Sequence, residues 1–451
     1  MSITKISLLT LLLFLGTKEI YAQSSVTPES ALKSYLNNKD KSYQWKIKDS
    51  FQLGTVKGYN LLLTSQTWRD IVWVHQLIIL VPEKVDHDNA LLFITGGKVK
   101  DGSPRWGSNN DAFLWALSDM VTDNKAVLAV LKQTPNQPLY GELVEDQLIS
   151  YTLHNFKKDG DYTWPLLFPM TKSAIRAMDA VQEFSKKELR QKISSFVVSG
   201  ASKRGWTTWL TGASDKRVAA IAPMVIDVLN MPASLEYQIE VWKEYSIQIE
   251  DYVKLEIPQS VNTESGKAIT TMVDPYSYRK QLTMPKMLFI GTNDEYWPVD
   301  AVKKYFDDIP GDNFIHYVPN AGHGLGNKRE TLKALSAFWG NTMKKGDRPL
   351  CDWEVNQTDS GASLEVTVTP DKLVGAYLWY TDSRDRDFRD EHWSFDHVEK
   401  GNTNTINTSL AFPRAGYRAF YLDLKYEGPN GGKYTKSTRM FVMDDHQIFM
   451  E

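Results

Sequence analysis

The sequence predicts an α/β domain followed by a smaller antiparallel β domain, and two patterns carry that prediction. From about residue 71 to residue 345, apolar strand-like runs alternate with helical stretches. Such alternation puts the strands in a mostly parallel sheet with helices on both faces. After GDRP (346–349) the helical period disappears. Short alternating runs then follow one another with turn residues between them, as in an immunoglobulin-like β-sandwich. At 451 residues the chain is also longer than one typical domain.

In chain order, residues 1–22 (MSITKISLLTLLLFLGTKEIYA) come first. Lys5 gives a positive start, Ile6 to Gly16 a short apolar stretch, and Ala22 a small residue before a cleavage point. This is the pattern of a secretory signal peptide, and its apolar part is too short to span a bilayer. No later segment is long and apolar enough to do so. The expected location is secreted or periplasmic, without stable membrane insertion.

The α/β domain is expected over 23–346. Residues 24–60 are polar and mixed. IVWVHQLIILVP (71–82) is β-branched and aromatic, a strand ended by proline. ALLFITGG (90–97) and KAVLAVL (125–131) are continuous apolar runs, the mark of strands buried on both faces. A helix is expected over 171–187, a strand at ISSFVVSG (193–200), a helix at KRGWTTWLTGA (203–213) and a buried strand at VAAIAPMVID (218–227). Residues 233–284 are helical and polar, a candidate cap. Strands at KMLFIGTND (286–294) and NFIHYVPNAGH (313–323) and a helix through about 345 close the domain. In 350–451 the runs SLEVTVTP, AYLWYTDS, INTSLAFP, YRAFYLDLKY and TRMFVM make the sandwich. That domain is a candidate surface for a protein partner or a cover for the active site.

Composition removes several classes of function. Hydrophobic residues at 42% and charged residues at 24% exclude disorder, collagen and coiled coil. A net charge of −3 with no basic stripe argues against nucleic acid. The single cysteine, Cys351, permits no internal disulfide and excludes Cys-rich zinc sites. Fourteen tryptophans fit a tightly packed aromatic core first, and an aromatic-lined pocket or sugar platform as the alternative.

Chemistry concentrates in VVSGASKRGW (197–206). A buried strand ends at Gly200, Ser202 sits at the turn, and a helix begins immediately after. A sharp strand-to-helix turn exposes a hydroxyl, and the free N–H groups of the helix start face a developing oxyanion. The usual elbow reads G-x-S-x-G. Here Arg204 stands two residues after the serine and glycine comes only at 205, so the pattern is also that of a helix N-cap.

A serine nucleophile needs a histidine base and an acid to orient it. His323 lies in NAGHGLG, a glycine-flanked loop after a strand, whereas His316 falls within the strand and reads as structural. Asp294 ends a strand in FIGTNDEYWP; Glu295 beside it and Asp227 in VIDVLN are the competing acids. The order Ser202, Asp294, His323 is that of the α/β-hydrolase fold. Oxyanion donors are expected from the backbone of Lys203 and from the loop after ALLFIT, at Gly96, Gly97 or Lys98.

SGASKRGWTTWLTGASDKRVAAIAPMVIDVLN, GTNDEYWPVDA and PNAGHGL, with WPLLFPMTKSAIRAMDAV (164–181), closely resemble the PhoPQ-activated pathogenicity-related family. The resemblance runs over most of the chain beyond residue 22. It implies an α/β-hydrolase fold, likened to dipeptidyl-peptidases and prolyl oligopeptidases, with Ser202 as nucleophile, Asp294 as acid and His323 as base. The chain has no room for the β-propeller of those peptidases. The family name records regulation and virulence rather than an activity. Glucuronoyl esterases also place a basic residue after the serine and glycine three places on. By that likeness Lys203 or Arg204 polarises the substrate or binds its carboxylate.

For specificity, Tyr296 and Trp297 are expected to line the pocket, with Trp206 a further candidate. The acidic run GELVEDQ (141–147) offers Glu142, Glu145 and Asp146 to hold a substrate amine. The sequence therefore points to an exported serine hydrolase with no metal or organic cofactor. Its expected substrate is a peptide, in peptidase or aminopeptidase fashion. The alternatives are a carboxylesterase, including one acting on carbohydrate esters, and a non-catalytic secreted effector on a hydrolase scaffold.

Overall fold

A computed structural model describes residues 26–344, 348–401 and 403–450. The expected signal peptide and part of the 346–349 junction lie outside these residues. The chain opens with helix α1 (Pro28–Leu36) and strands β1 (Gln44–Leu53), β2 (Val56–Trp68), β3 (Ile71–Val81) and β4 (Asn89–Ile94). The two-residue strands β5 (Val99–Lys100) and β6 (Ser103–Pro104) precede α2 (Ala112–Asn124) and β7 (Leu128–Leu131). Helices α3 (Glu145–Asp159) and α4 (Leu167–Phe184) lead to β8 (Ser195–Ala201), α5 (Lys203–Ser214) and β9 (Val218–Met224). Then come α6 (Met231–Trp242), α7 (Glu250–Val253), α8 (Glu264–Val273), β10 (Lys286–Gly291), β11 (Asn313–Val318) and α9 (Arg329–Lys344). Among the described residues no helix is long and apolar enough to cross a membrane.

These strands order as β1-β2-β3-β7-β4-β8-β9-β10-β11. The first pairings are antiparallel; from β7 to β11 the sheet is parallel. The parallel strands read as unbroken apolar runs because both faces are covered. In β4, Ala90, Leu92 and Ile94 enter one core, while Leu91 and Phe93 enter the other. The first core holds α4 and α5, the second α2 and α9.

The N-terminal stretch, polar and mixed in sequence, holds β1 and most of its pairing with β2. Its β1 is an edge strand with only Leu53 buried, so no apolar alternation marks it. In β2 the buried Asn60, Ser65 and Gln66 sit at core positions and hide the strand. They are satisfied by partners remote in sequence: Gln76 donates to Asn60, Gln66 donates to Pro169 O, and Ser65 meets His75 Nε2.

The C-terminal strands are β12 (Cys351–Thr358), β13 (Gly361–Val368), β14 (Leu373–Ser383), β15 (Ser394–Val398), β16 (Thr405–Ala411), β17 (Tyr417–Glu427), β18 (Lys433–Ser437) and β19 (Phe441–Met443). All pair antiparallel, as β12-β13-β16 and as β18-β17-β14-β15 with β19 beside β17. Leu364 and Val366 of the first sheet share a core with Leu378, Leu422 and Leu424 of the second, which makes a sandwich. The second sheet also extends the α/β sheet: β18 pairs with β11, Ile315 opposite Ser437. Nothing in the alternating pattern of the tail foretells that join.

Leu92 is fully buried in the middle of the parallel sheet. Leu92→Ala is expected to cost about 2–5 kcal/mol, read as a lower urea midpoint with an unchanged slope.

Candidate active site

The site is built at the C-terminal ends of neighbouring parallel strands, where open α/β sheets gather their functional loops. Strand β8 ends at Ala201, and Ser202 turns the chain into α5 at φ 59°, ψ −126°. That conformation is costly for any residue but glycine. Two bonds hold it: Ser202 N–H donates to Met224 O at 2.8 Å, and Trp206 N–H to Ser202 O at 3.0 Å. The turn closes because two residues lack a Cβ. On Gly200 one would lie 2.8 Å from both Cβ and O of Arg204; on Gly205 one would lie 2.8 Å from Met224 O. The glycine at 205 thus carries the close approach, and Arg204 fits through the space left at Gly200.

Asp294 lies just beyond β10 and His323 just beyond β11. His323 Nδ1 is 3.1 and 3.0 Å from the two Asp294 carboxylate oxygens. Asp294 is buried and also accepts from Tyr296 N–H at 3.0 Å. Glu295 takes a different part, accepting from the His323 backbone N–H at 2.8 Å. The Tyr296 ring lies 4.1 Å from the His323 ring, centroid to centroid, and fixes its plane. His323 Nε2 is buried and has no hydrogen-bond partner among the described residues. Asp227 makes no hydrogen bond to His323, and burial, with Asp294 and Asp300 nearby, pushes its carboxyl up to about 7. His316 is a buried strand residue, its Nδ1 bonded to Thr435 O at 3.1 Å and its pKa brought down to about 4 by burial.

Ser202 and His323 line one narrow, almost wholly apolar cleft. Of the expected residues, Asp146, Lys203, Trp206, Tyr296 and Trp297 share that lining. Gly97, Lys98, Arg204 and Glu145 do not. Much of the wall was not visible in the sequence: Met231, Leu235, Ile249, Tyr252, Ile257 and Pro258 come from the segment between β9 and β10. No periodic pattern marks 247–258, because Ile249 comes from one short turn, Tyr252 from α7, and Ile257 and Pro258 from the stretch after it.

The charges beside Ser202 are spent on one another. Arg204 donates both terminal nitrogens to Glu145 at 2.7 Å and its Nε to Thr134 O at 2.6 Å. Lys203 Nζ lies 2.6 Å from Asp146, which also accepts from Tyr252 O–H at 2.9 Å. Burial raises the Glu145 pKa, but the Arg204 hydrogen bonds and charge, with Gln137 and Lys203, outweigh it and hold the carboxyl below its ordinary value. Arg204 also packs on Gly96, where a Cβ would collide with its guanidinium. Lys203 opens α5, so its N–H belongs to the first turn that intrahelical bonding leaves free. Among the described residues only Asp444, Asp445 and His446 stand close enough to share a metal ion, and none lines the cleft.

A parallel sheet with helices on both faces and a serine on a strained strand-to-helix turn define an α/β hydrolase. A solved structure with a TM-score of 0.50 supports the fold. Acetyl xylan esterase 1 from Thermoanaerobacterium sp. JW/SL YS485 matches with a TM-score of 0.50 at 16% identity, over 70% of this chain and 94% of that one. An acetyl xylan esterase from Paenibacillus sp. R4 gives 0.49 at 14%, over 69% and 92%. The chain belongs to the PhoPQ-activated pathogenicity-related protein family, whose sequence model matches residues 32–389. A relative, autocrine proliferation repressor protein A of Dictyostelium discoideum, is 30% identical over 428 residues, 88% of this chain and 85% of its own.

Arg204→Met leaves the half-buried Glu145 carboxylate without its bidentate partner and is expected to destabilise the fold by about 1–3 kcal/mol. Glu145 is held below its ordinary 4.5, so the pair contributes fully above that pH and its contribution is lost as pH falls below it. The stability gap between wild type and variant, measured by urea denaturation, should therefore narrow on acidification below pH 4.5.

Proposed function

We propose that this protein is an exported serine hydrolase acting by acyl transfer, with Ser202 as nucleophile, His323 as base and Asp294 as the acid that orients it. The observation that carries the reading is the asymmetry of His323: Nδ1 is held by Asp294, while Nε2 is left without a partner in the cleft that Ser202 lines. Among the described residues the Ser202 hydroxyl makes no hydrogen bond, to His323 or to any other group, and both side chains line the one cleft. Such contacts commonly tighten only when substrate is bound.

In the first step Ser202 Oγ bonds to the acyl carbon as its proton passes to His323 Nε2. Asp294 stabilises the imidazolium, and the Lys203 N–H faces the oxyanion. The loop after β4, whose Gly96 abuts Arg204, is the nearest source of a second donor. Collapse breaks the bond to the leaving group, which takes the proton from His323. Water then repeats the sequence on the acyl-enzyme, releasing acid and free serine.

Esters with an apolar acyl group suit this site best. The wall of Met231, Leu235, Ile249 and Ile257 offers a sugar ring no hydrogen bonds. An aminopeptidase needs a free carboxylate for the substrate amine, and here Asp146 is paired with Lys203 and Glu145 with Arg204. Gln23 is the expected first residue of the exported protein, which mass spectrometry of the secreted or periplasmic form reads directly.

Labelling with a fluorophosphonate probe tests the nucleophile. Wild type should label, while Ser202→Ala and His323→Ala should not; p-nitrophenyl butyrate should be cleaved, with kcat lowered about 10⁴-fold or more in Ser202→Ala. Faster cleavage of an aminoacyl p-nitroanilide than of the ester would return the substrate to the peptide class. Folded wild-type protein that neither labels nor turns over would leave a non-catalytic secreted effector.

A further inference from the structure

The connection between β14 and β15 reaches out of the sandwich and touches both loops that carry Asp294 and His323. Asn293, immediately before Asp294, donates its two amide hydrogens among three backbone carbonyls of that connection: Glu391 O at 2.7 Å, Arg389 O at 3.2 Å and Phe388 O at 3.3 Å. Asn320, three residues before His323, makes a reciprocal pair with Trp393, donating to its O at 3.0 Å and accepting from its N–H at 2.7 Å. The two loops are also tied to each other. Asn293 N–H donates to Ala321 O at 3.0 Å; Thr292 O–H donates to Asn293 Oδ1 at 2.8 Å and accepts from Asn320 N–H at 2.9 Å.

The same connection grips the wall of the cleft. Arg386 donates to Tyr237 O–H at 2.6 Å and to Glu240 at 3.0 Å, both on α6. Tyr237 in turn donates to buried Asp300, beyond the Asp294 loop. The connection is itself anchored, since Phe388 and Trp393 are buried in the main core.

We infer that the 384–393 connection is part of the frame of the active site, and that Asn293 and Asn320 are positioning residues that hold Asp294 and His323 in register. The inference rests on the reading of Ser202, Asp294 and His323 as the reacting set. It gives the sandwich a task inside the molecule: its backbone carbonyls and one backbone N–H set the distance between the acid loop and the base loop. An error of about 1 Å in that distance is enough to cost on the order of 100-fold in rate.

The test uses the full chain with Asn293→Ala and Asn320→Gly. Glycine is chosen because residue 320 sits at φ 56°, which alanine would strain. Asn341→Ala is the control: it removes a bond from α9 to Tyr434 O–H on β18, away from both loops in sequence. The readouts are the second-order rate of fluorophosphonate labelling, kcat and KM for p-nitrophenyl butyrate, and the melting temperature. Each positioning variant should label about 10- to 100-fold more slowly than wild type. Its kcat should fall by a like factor with KM little changed, because the acyl pocket is untouched. A merely unstable variant lowers the labelled fraction and the melting temperature without slowing the folded protein. Rates equal to wild type and Asn341→Ala would overturn the inference while leaving the nucleophile reading intact. Wild type that does not label would instead overturn the nucleophile reading, and the inference with it.

Discussion

A serine at φ 59°, ψ −126° costs about 1–3 kcal/mol, and the arrangement around it exists to hold it there. The parallel pairing of β8 with β9 brings Met224 O under the Ser202 N–H. The absence of a Cβ at Gly200 and Gly205 lets the first turn of α5 close over the strand end. The bond to Met224 is not local in sequence. The elbow is thus a property of the sheet, and helix capping alone does not account for it: Ser202 precedes α5, yet its hydroxyl caps no N–H of the helix. A serine chosen as an N-cap would sit in the β region and accept such a bond.

The basic pair that follows the serine has a second consequence. Two cations at the start of α5 oppose the positive end of the helix dipole. The chain offsets them with Glu145 and Asp146, which stand in the first turn of α3, where negative charge is favoured. Four charges that each favour or burden a helix start are thereby neutralised in pairs, and α3 is fixed against α5. This pairing removes the acids from the list of amine anchors and leaves the cleft with an apolar wall. The electrostatics of the turn and the proposed preference for apolar acyl groups share one origin.

The legible parts of the sequence were those in which one physical signal dominated. ALLFI, SSFVVSGA and KMLFIG are continuous apolar runs because both sheet faces are covered, and each is a parallel strand. Asp294 and His323 could be paired because each follows such a run within a few residues. The expected substrate contacts of Arg204 and Glu145 did not materialise in the cleft lining: a charge written in sequence does not show whether it is already paired. β2 was hidden because its buried polar residues find partners 10 or more residues away. β12, β15 and β18 are short or largely exposed, and only their partner strands define them.

The least legible contribution is the one made by backbone. Asn293 and Asn320 read as ordinary turn residues, and in part they are: Asn320 occupies the left-handed region that asparagine tolerates. What they hold is main-chain carbonyl and N–H, which no side-chain pattern encodes. The connection gains by it as well, because its Phe388 and Trp393 are buried and buried peptide groups require partners. The asparagine amide, with donors and an acceptor on one planar group, meets a carbonyl and an N–H of one residue together, as Asn320 does with Trp393. The need of the 384–393 backbone to be satisfied and the need of the Asp294 and His323 loops to be fixed are therefore met by the same hydrogen bonds. This binds the sandwich to the hydrolase domain more tightly than its single pairing at Ile315 and Ser437 alone would.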